Sequence, residues 1–185
     1  ALEDERILIH ASNFRKIKSV EDVVKIFYEV RKQLRVKLLM VGDGPERSAA
    51  ENLAKDLEIA DDIRFLGKQE QMEEILAISD LFLLPSEYES FGLSALEAMA
   101  SKVPVICSNA GGLPEIVVHN VTGFLANVGD VPAMSEYAIA LLSNNTLLQQ
   151  FKQNAFERAK KFDIHHIVPL YEHLYSRFCK IENYV

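Results

Sequence analysis

The sequence predicts an α/β fold: a Rossmann-like parallel sheet of about six strands, flanked by helices and followed by C-terminal helices. Short apolar runs alternate along the chain with longer segments of helical periodicity. This alternation is typical of parallel strands that crossover helices bury on both faces. Glycine-containing turns follow several of the apolar runs, and no internal repeat or low-complexity segment interrupts the pattern.

The strands are predicted from short apolar runs, each followed by a glycine, a proline or a polar residue. In chain order these runs are Arg6–Ala11, Val36–Val41, Ile63–Leu66, Leu81–Leu84, Val103–Cys107 and Thr122–Ala126. The pattern does not give their order in the sheet. No run approaches the length of a membrane span and no signal peptide is visible, so we expect a cytoplasmic protein without a membrane span.

The first helix is predicted from apolar residues spaced along one face between Val20 and Leu34. Ser19 precedes it as a candidate N-cap, and Glu21 and Asp22 lie in its first turn, where acidic side chains are favourable. Proline at an early helical position predicts a second helix. The later helices are predicted from about Pro45 to Leu57, at Met72–Ile78, Leu93–Ala100, up to Val118, at Val131–Leu142, Thr146–Phe162 and Ile164–Cys179.

The chain of 185 residues is long enough for one domain with a well-buried core. We predict that residues 1–162 form the Rossmann-like domain and that residues 163–185 form a C-terminal helical segment. The chain lacks an initiating Met and enters a strand within a few residues, so we expect it to be a piece of a longer protein.

The net charge of −7, from 20 basic and 27 acidic residues, argues against nucleic acid or an anionic membrane surface as a partner. A local basic site for a phosphorylated ligand stays compatible with it. Cys107 and Cys179 show neither metal-ligand spacing nor a disulfide framework. Cys107 lies in an apolar run and is expected to be a buried thiol of a reducing compartment.

Three glycine-containing turns follow predicted strands, at Gly42–Gly44, Gly92 and Gly111–Gly112. Parallel strands share their carboxyl ends, which is the edge where such sheets bind ligands. Each glycine alone is explained by a tight turn. Together, with charged residues nearby, they favour a nucleotide or phosphate site. None matches a dinucleotide-binding or phosphate-loop motif.

Charged residues near these turns have two interpretations each. Arg15, Lys16 and Lys18 follow the first strand and form either a solvated loop or a clamp on a diphosphate. Glu89 and Glu97 could be an acid/base pair, whereas the apolar surroundings of Glu97 favour a carboxylate that accepts hydrogen bonds from ligand hydroxyls, for example on ribose.

Among the histidines we single out His10, which closes the first strand at the ligand-binding edge. His165 and His166 fall in the helical tail and His119 near a turn. No Ser–His–Asp arrangement is readable, so a nucleophile is not predicted.

The segment PSEYESFGLSALEAMASKVPVICSNAGGLPEIV resembles the signature of the retaining glycosyltransferases of family 4, a GT-B class of nucleotide-sugar enzymes. It contains the Glu-x7-Glu pair, here Glu89 and Glu97, and the Gly-Gly-x-Pro-Glu turn, here Gly111–Glu115. The similarity extends from about Ile7 to Phe178. Within it, HASNFRKIKSVEDV is similar to family members that join N-acetylglucosamine to L-malate.

The resemblance implies one half of a two-domain enzyme. This chain would bind the nucleotide-sugar donor, an N-terminal half outside it would supply most of the acceptor site, and the last helix would cross back towards that half. The narrower similarity implies UDP-N-acetylglucosamine as donor and a small acceptor such as L-malate. No cofactor and no metal are expected, because lysine and arginine can stabilise a departing diphosphate.

The resemblance also implies two catalytic residues. Lys18 matches the lysine that holds the pyrophosphate, and Glu89 matches the glutamate that contacts the donor sugar hydroxyls. Glu97 would bind the ribose hydroxyls. The family's usual Gly-Arg before the lysine is replaced by Ser12-Asn13, so Arg15 becomes the candidate for the arginine's role.

The remaining predicted donor-binding residues fall into two groups. Backbone amides at the start of the fourth predicted helix would hold the phosphate end: Phe91, Gly92 and Leu93. Residues after the second strand and on the third would flank the nucleobase: Gly42, Arg64, Phe65 and Leu66.

Two other functions stay open at this stage. The chain could be a non-catalytic nucleotide-binding or assembly module that kept the fold, or half of an epimerase-like enzyme that acts on a UDP-sugar without an acceptor. A homo-oligomer is also open, because we expect apolar residues of the last helix to be partly exposed: Ile167, Leu170, Leu174 and Phe178.

Overall fold

A computed structural model describes residues 5–179 and contains a six-stranded parallel sheet with helices on both faces. This confirms the predicted fold class. The strands are β1 (Arg6–Ala11), β2 (Val36–Val41), β3 (Ile63–Gly67), β4 (Leu81–Leu84), β5 (Val105–Ser108) and β6 (Gly123–Ala126).

The predicted helices are present in the described part of the chain, with small shifts at their ends. They are α1 (Val20–Arg31), α2 (Arg47–Asp56), α3 (Met72–Ala77), α4 (Leu93–Ala100), α5 (Leu113–Ile116), α6 (Val131–Ser143), α7 (Asn145–Ala159) and α8 (Ile164–Cys179). Short 3₁₀ turns lie at Lys16–Lys18, Ala60–Asp62 and Lys160–Phe162.

Two boundaries and one cap differ in detail from the prediction. Ser19 is the N-cap residue of α1, as predicted, but its backbone is left-handed, with φ of 49°, and its side chain makes no capping hydrogen bond. Helix α2 starts at Arg47, two residues after Pro45, and the amide of its N-cap residue Glu46 donates to the carbonyl of Phe14 at 2.9 Å. Strand β5 starts after Pro104, which has no N–H to donate.

The strands follow the order β3-β2-β1-β4-β5-β6. From β1 the chain first builds outwards to β3 and then returns to the other side of β1 with β4. The order in which the chain adds strands therefore reverses between β1 and β4. The crevice at such a switch point is where open α/β sheets bind ligands. Pairing between these strands joins Leu8 to Leu81 and Ile9 to Phe82.

Both faces of the sheet are buried. Alternate residues of each strand point to opposite faces, so Leu8 lies in one apolar layer and Ile9 in the other. Helices α1, α2 and α6 cover the first face, whereas α3, α4 and α5 cover the second. The strands are continuous apolar runs in the sequence because residues on both faces of the sheet are buried.

Helix α8 packs little against the rest of the described chain, and its apolar side chains are largely exposed. Leu170 is 66% exposed and Phe178 is 63% exposed, as expected for this helix. The helix starts at Ile164. The division into segments 1–162 and 163–185 stays a prediction, and residues 1–4 and 180–185 of these segments lie outside the described residues. No helix in residues 5–179 is long and apolar enough to cross a membrane.

Candidate functional site

An ion pair crosses the switch point of the sheet. The ammonium group of Lys18, in the loop after β1, contacts the carboxylate of Glu89, in the loop after β4. The two residues are 71 positions apart in the chain. Their side chains are 18% and 14% exposed, so a ligand in the crevice can reach both while solvent screens them little. The fold thus brings together the two residues predicted to be catalytic.

A backbone hydrogen bond joins the same two loops. The amide of Glu87 donates to the carbonyl of Ile17 at 2.9 Å. Lys18 ends a 3₁₀ turn in which its amide donates to the carbonyl of Arg15 at 2.8 Å. The position of Lys18 relative to Glu89 is therefore fixed by main chain as well as by side chains. The side chain of Arg15 is exposed on this loop.

The turn at Gly111–Gly112 packs directly against the backbone of Glu89. The amide of Gly112 donates to the carbonyl of Glu89 at 2.8 Å. A Cβ at Gly111 would overlap that carbonyl oxygen, and Gly111 has a φ of +56°, which side chains rarely adopt. A Cβ at Gly112 would approach the carbonyl of Ser90 in the same way. Glycine is needed here because the backbone that carries Glu89 lies directly on the turn.

The turn after β2 supports the loop of Lys18 in a similar way. A Cβ at Gly42 would overlap the carbonyl oxygen of Ser12, and one at Gly44 would overlap that of Asn13. Gly42 also donates its amide to the carbonyl of Gly67 at 2.8 Å. The structure therefore gives Gly42 a packing role next to the loop of Lys18; its contact with a nucleobase stays a prediction.

The start of α4 lies next to Glu89. Gly92 is the N-cap residue with a φ of +95°, and a Cβ there would come within 2.7 Å of the side chain of Leu113. Phe91 and Leu93 on either side are exposed. The first amides of a helix have no intrahelical partner, and the positive end of the helix dipole favours an anion there.

Glu97 lies on α4 and is exposed. It lines a groove of about 720 Å³ between α3 and α4, together with Glu70, Glu73, Glu74 and Ser101. It takes no part in the ion pair of Lys18 and Glu89. The groove is open and its lining is part polar and part apolar. The ribose contact of Glu97 stays a prediction.

Of the three predicted nucleobase residues of β3, Arg64 and Leu66 lie on one face of the strand and Phe65 lies on the other. The guanidinium of Arg64 donates to the carbonyls of Asp61 and Ile63, both at 3.2 Å, near the start of the strand and away from its carboxyl end. Phe65 is half-buried, with the guanidinium of Arg47 5.8 Å from its ring centre. Leu66 is partly exposed at the carboxyl end of β3. The structure does not bring Arg64 to the ion pair.

A family model described as glycosyl transferases group 1 matches residues 1–158 of the chain. The chain belongs to the group 1 glycosyltransferases. This confirms the family resemblance seen in the Glu89 to Glu115 segment. The Gly111–Gly112 turn of that segment packs against the loop that carries Glu89.

Known proteins resemble this group 1 glycosyltransferase domain over most of its length. It is 48% identical over 174 residues to the N-acetyl-alpha-D-glucosaminyl L-malate synthase of Bacillus anthracis, which covers 94% of this chain and 46% of that relative. It is 34% identical over 158 residues to the 2-deoxystreptamine N-acetyl-D-glucosaminyltransferase of Niallia circulans, which covers 81% of this chain and 41% of that relative.

A solved structure shows the same architecture. The sucrose-phosphate synthase of Thermosynechococcus elongatus matches with a TM-score of 0.88 and 28% sequence identity, over 97% of this chain and 47% of that one. The group 1 glycosyltransferase domain described here therefore spans less than half the length of each of these three proteins.

His10 is fully buried behind the ion pair of this group 1 glycosyltransferase domain. Its Nδ1 lies 2.8 Å from the carbonyl oxygen of Leu83, and its Nε2 lies 2.8 Å from the hydroxyl of Ser12. Burial lowers the pKa of His10 to about 4; the hydrogen bond to Leu83 opposes this shift, and the charge of Lys18 adds to it. His10 is therefore neutral at physiological pH.

The sequence singled out His10 by its place at the sheet edge but missed Ser12 as its partner. Only the short spacing of the two residues along the chain could have indicated the contact. Among residues 5–179 no group of three or more His, Cys, Asp or Glu side chains is arranged to hold a metal ion. Independence from metal stays a prediction.

Proposed function

We propose that this chain is the donor-binding half of a retaining glycosyltransferase that uses a UDP-sugar. The ion pair of Lys18 and Glu89 at the switch point carries the proposal. It offers a cation for a diphosphate and a carboxylate for sugar hydroxyls side by side, at the edge of the sheet where nucleotides bind. Both groups are held by backbone contacts, so little ordering is needed when the donor arrives.

The chemistry assigned to these residues is electrostatic. The bond between the anomeric carbon and the phosphate oxygen breaks, and its electron pair stays on the phosphate. Lys18 and the amides of Phe91 to Leu93 stabilise that charge. The acceptor hydroxyl bonds to the anomeric carbon from the same face and gives its proton to the leaving phosphate, as the family resemblance implies. Glu89 orients the sugar.

The donor is proposed to be UDP-N-acetylglucosamine, and its N-acetylglucosamine group is proposed to be transferred to a small acceptor such as L-malate. The names of both relatives given above include an N-acetylglucosaminyl group, and one also names L-malate. The acceptor would bind mainly on the other half of the enzyme, because this chain spans less than half of those relatives. We further propose that neither a cofactor nor a metal is needed. A cytoplasmic location is proposed as well, since a reducing compartment suits the free, buried thiol of Cys107.

Titration of the 185-residue chain with UDP and with uridine tests the proposal. We expect UDP to bind more tightly and to shift the amide resonances of Gly42, Gly67 and Gly92. Lys18→Ala should weaken UDP by at least roughly tenfold and leave uridine unchanged, since it removes a charge-assisted contact to phosphate. Lys16→Ala is the matched control, because Lys16 is an exposed lysine of the same turn.

Three results would contradict the proposal in different ways. Unchanged resonances with UDP would remove the donor site. UDP binding without transfer, after the other half of the enzyme is added back, would favour a nucleotide-binding module. A new sugar nucleotide formed without any acceptor would favour an epimerase-like enzyme.

A further inference from the structure

A chain of three hydrogen bonds runs behind the ion pair. A carbonyl oxygen only accepts, so Nδ1 of His10 carries the proton that bonds Leu83 at 2.8 Å. The unprotonated Nε2 then accepts from the hydroxyl of Ser12 at 2.8 Å. The Ser12 oxygen in turn accepts from the amide of Phe14 at 3.2 Å. One arrangement of protons satisfies all the groups in these three hydrogen bonds.

This chain of bonds sits where the two central strands part. The ladder between β1 and β4 joins Leu8 to Leu81 and Ile9 to Phe82. At the next position the ring of His10 contacts the carbonyl of Leu83. The imidazole therefore links β1 to β4 at the base of the crevice, and Ser12 extends that link into the loop that carries Lys18.

The loop after β1 needs such support because its backbone is unusual. Phe14 is fully buried and has a φ of +37°, in the left-handed region that non-glycine residues seldom adopt. Its ring stacks on His10 with the centres 5.9 Å apart. Its amide bonds Ser12 and its carbonyl accepts from Glu46 at 2.9 Å. The 3₁₀ turn that ends at Lys18 follows directly.

We propose that His10 and Ser12 are positioning residues, whose hydrogen-bond chain fixes the loop after β1 so that Lys18 meets the donor diphosphate. The inference rests on the proposed function. Without the Ser12 hydroxyl, the amide of Phe14 and Nε2 of His10 lose the partner that they share. The loop then relaxes, and the ammonium of Lys18 leaves the position that serves a phosphate.

The test compares UDP with uridine as probes, using calorimetry on the 185-residue chain. In Ser12→Ala we expect UDP affinity to fall about tenfold while uridine affinity stays within about twofold. Ser12→Thr keeps the hydroxyl and should restore the UDP affinity. His10→Asn keeps a donor for Leu83 near the position of Nδ1 but places no acceptor at the position of Nε2, so it should behave like Ser12→Ala.

Ile9→Val is the matched control. Ile9 is a buried β1 residue next to His10 that faces the opposite apolar layer. The variant should lower thermal stability yet keep the ratio of UDP to uridine affinity. A long-range ¹H–¹⁵N spectrum provides a second readout, in which the wild-type His10 ring should show protonated Nδ1 and unprotonated Nε2.

The outcomes separate this inference from the proposed function. If the wild type prefers UDP and Lys18→Ala loses that preference while Ser12→Ala and His10→Asn keep it, the positioning role is wrong and the donor site stands. Equal losses of UDP and uridine in the two variants would also overturn it, in favour of a purely structural role. If the wild type does not prefer UDP over uridine, the proposed function fails.

Discussion

The ammonium group of Lys18 lies against the carboxylate of Glu89, and both side chains are less than one-fifth exposed. Each of these groups has a second proposed partner on the donor, namely the diphosphate for Lys18 and the sugar hydroxyls for Glu89. The carboxylate therefore competes with the diphosphate for the same cation. This competition makes opposite predictions for UDP and for the sugar part of the donor.

We predict that Glu89→Gln binds UDP more tightly than the wild type, by roughly threefold to tenfold at low salt, because the competing charge is gone. The additional affinity of UDP-N-acetylglucosamine over UDP should fall at the same time. Calorimetry with both ligands measures this. Glu87→Gln is the matched control, since it removes the same charge from an exposed neighbour. Weaker UDP binding in Glu89→Gln alone would contradict the competition.

The Gly111–Gly112 turn predicts a steep sensitivity to added side chains. Gly111→Ala places a methyl group onto the carbonyl of Glu89 at a φ of +56°, so the loop of Glu89 must move. We expect a loss of at least roughly 3 kcal/mol in the free energy of unfolding, measured with urea. Gly129→Ala is the control, because Gly129 has a φ of +76° but nothing within 4 Å of the added atom.

Gly129→Ala should therefore lose only about 1 kcal/mol, from backbone strain alone. Equal losses in the two glycine variants would show that the contact with Glu89 does not matter. Binding of UDP-N-acetylglucosamine provides a second comparison. Only Gly111→Ala should weaken it, since only that variant displaces Glu89, the proposed contact of the donor sugar.

His10 predicts a pH dependence of stability. Its pKa in the folded chain is about 4, below the ordinary value of 6.5, because burial disfavours the charged ring. The folded state therefore favours neutral His10, and this contribution is complete above pH 6.5 and is lost as the pH falls towards 4. It amounts to roughly 3 kcal/mol over that interval. The positive charge of Lys18 also lowers the pKa of His10, by a smaller amount than burial does.

Urea titrations of the wild type and His10→Asn between pH 4 and pH 7 isolate this contribution. Other titrating groups are common to both proteins, so the difference between the two curves belongs to His10. The wild type should lose more stability than the variant on acidification. Parallel curves would mean that the ring titrates normally in the folded chain.

The exposed apolar face of α8 predicts self-association of the isolated chain. Leu170 and Phe178 are each more than three-fifths exposed, which is unusual for large apolar side chains on one helix. Sedimentation should show oligomers that grow with concentration. Leu170→Glu should shift the chain towards monomer, whereas His165→Glu, on the same helix, should not. A wild type that stays monomeric up to about millimolar concentration would contradict this prediction.

Local patterns were enough to predict most of the fold. Buried strands such as Leu81–Leu84 and the amphipathic helix after Ser19 were predictable, because the type and spacing of apolar residues indicate them directly. The strand order was not readable, because it depends on which runs pair over long distances. Ser19 is the N-cap residue as predicted, but its lack of a side-chain hydrogen bond was not readable, because Ser19 also ends the preceding 3₁₀ turn with a left-handed backbone.

The site was predictable as a set of residues but not as an arrangement. The motif resemblance named Lys18 and Glu89, yet their contact depends on the placement of β4 beside β1. The packing of Gly42 against Ser12 was not readable either, and its predicted contact with a nucleobase stays a prediction. The Ser12–His10 contact was missed because serine and histidine near a strand end carry no pattern of their own. Tertiary packing decides each of these points.

The position of β4 beside β1 has a practical consequence for dissecting the protein. Lys18 belongs to the first three strands and Glu89 to the last three, so a cut between Gly67 and Leu81 would place them on separate peptides. Neither peptide would hold the sugar nucleotide alone. Recovery of UDP affinity on mixing the two would then act as a complementation assay for docking of the two central strands.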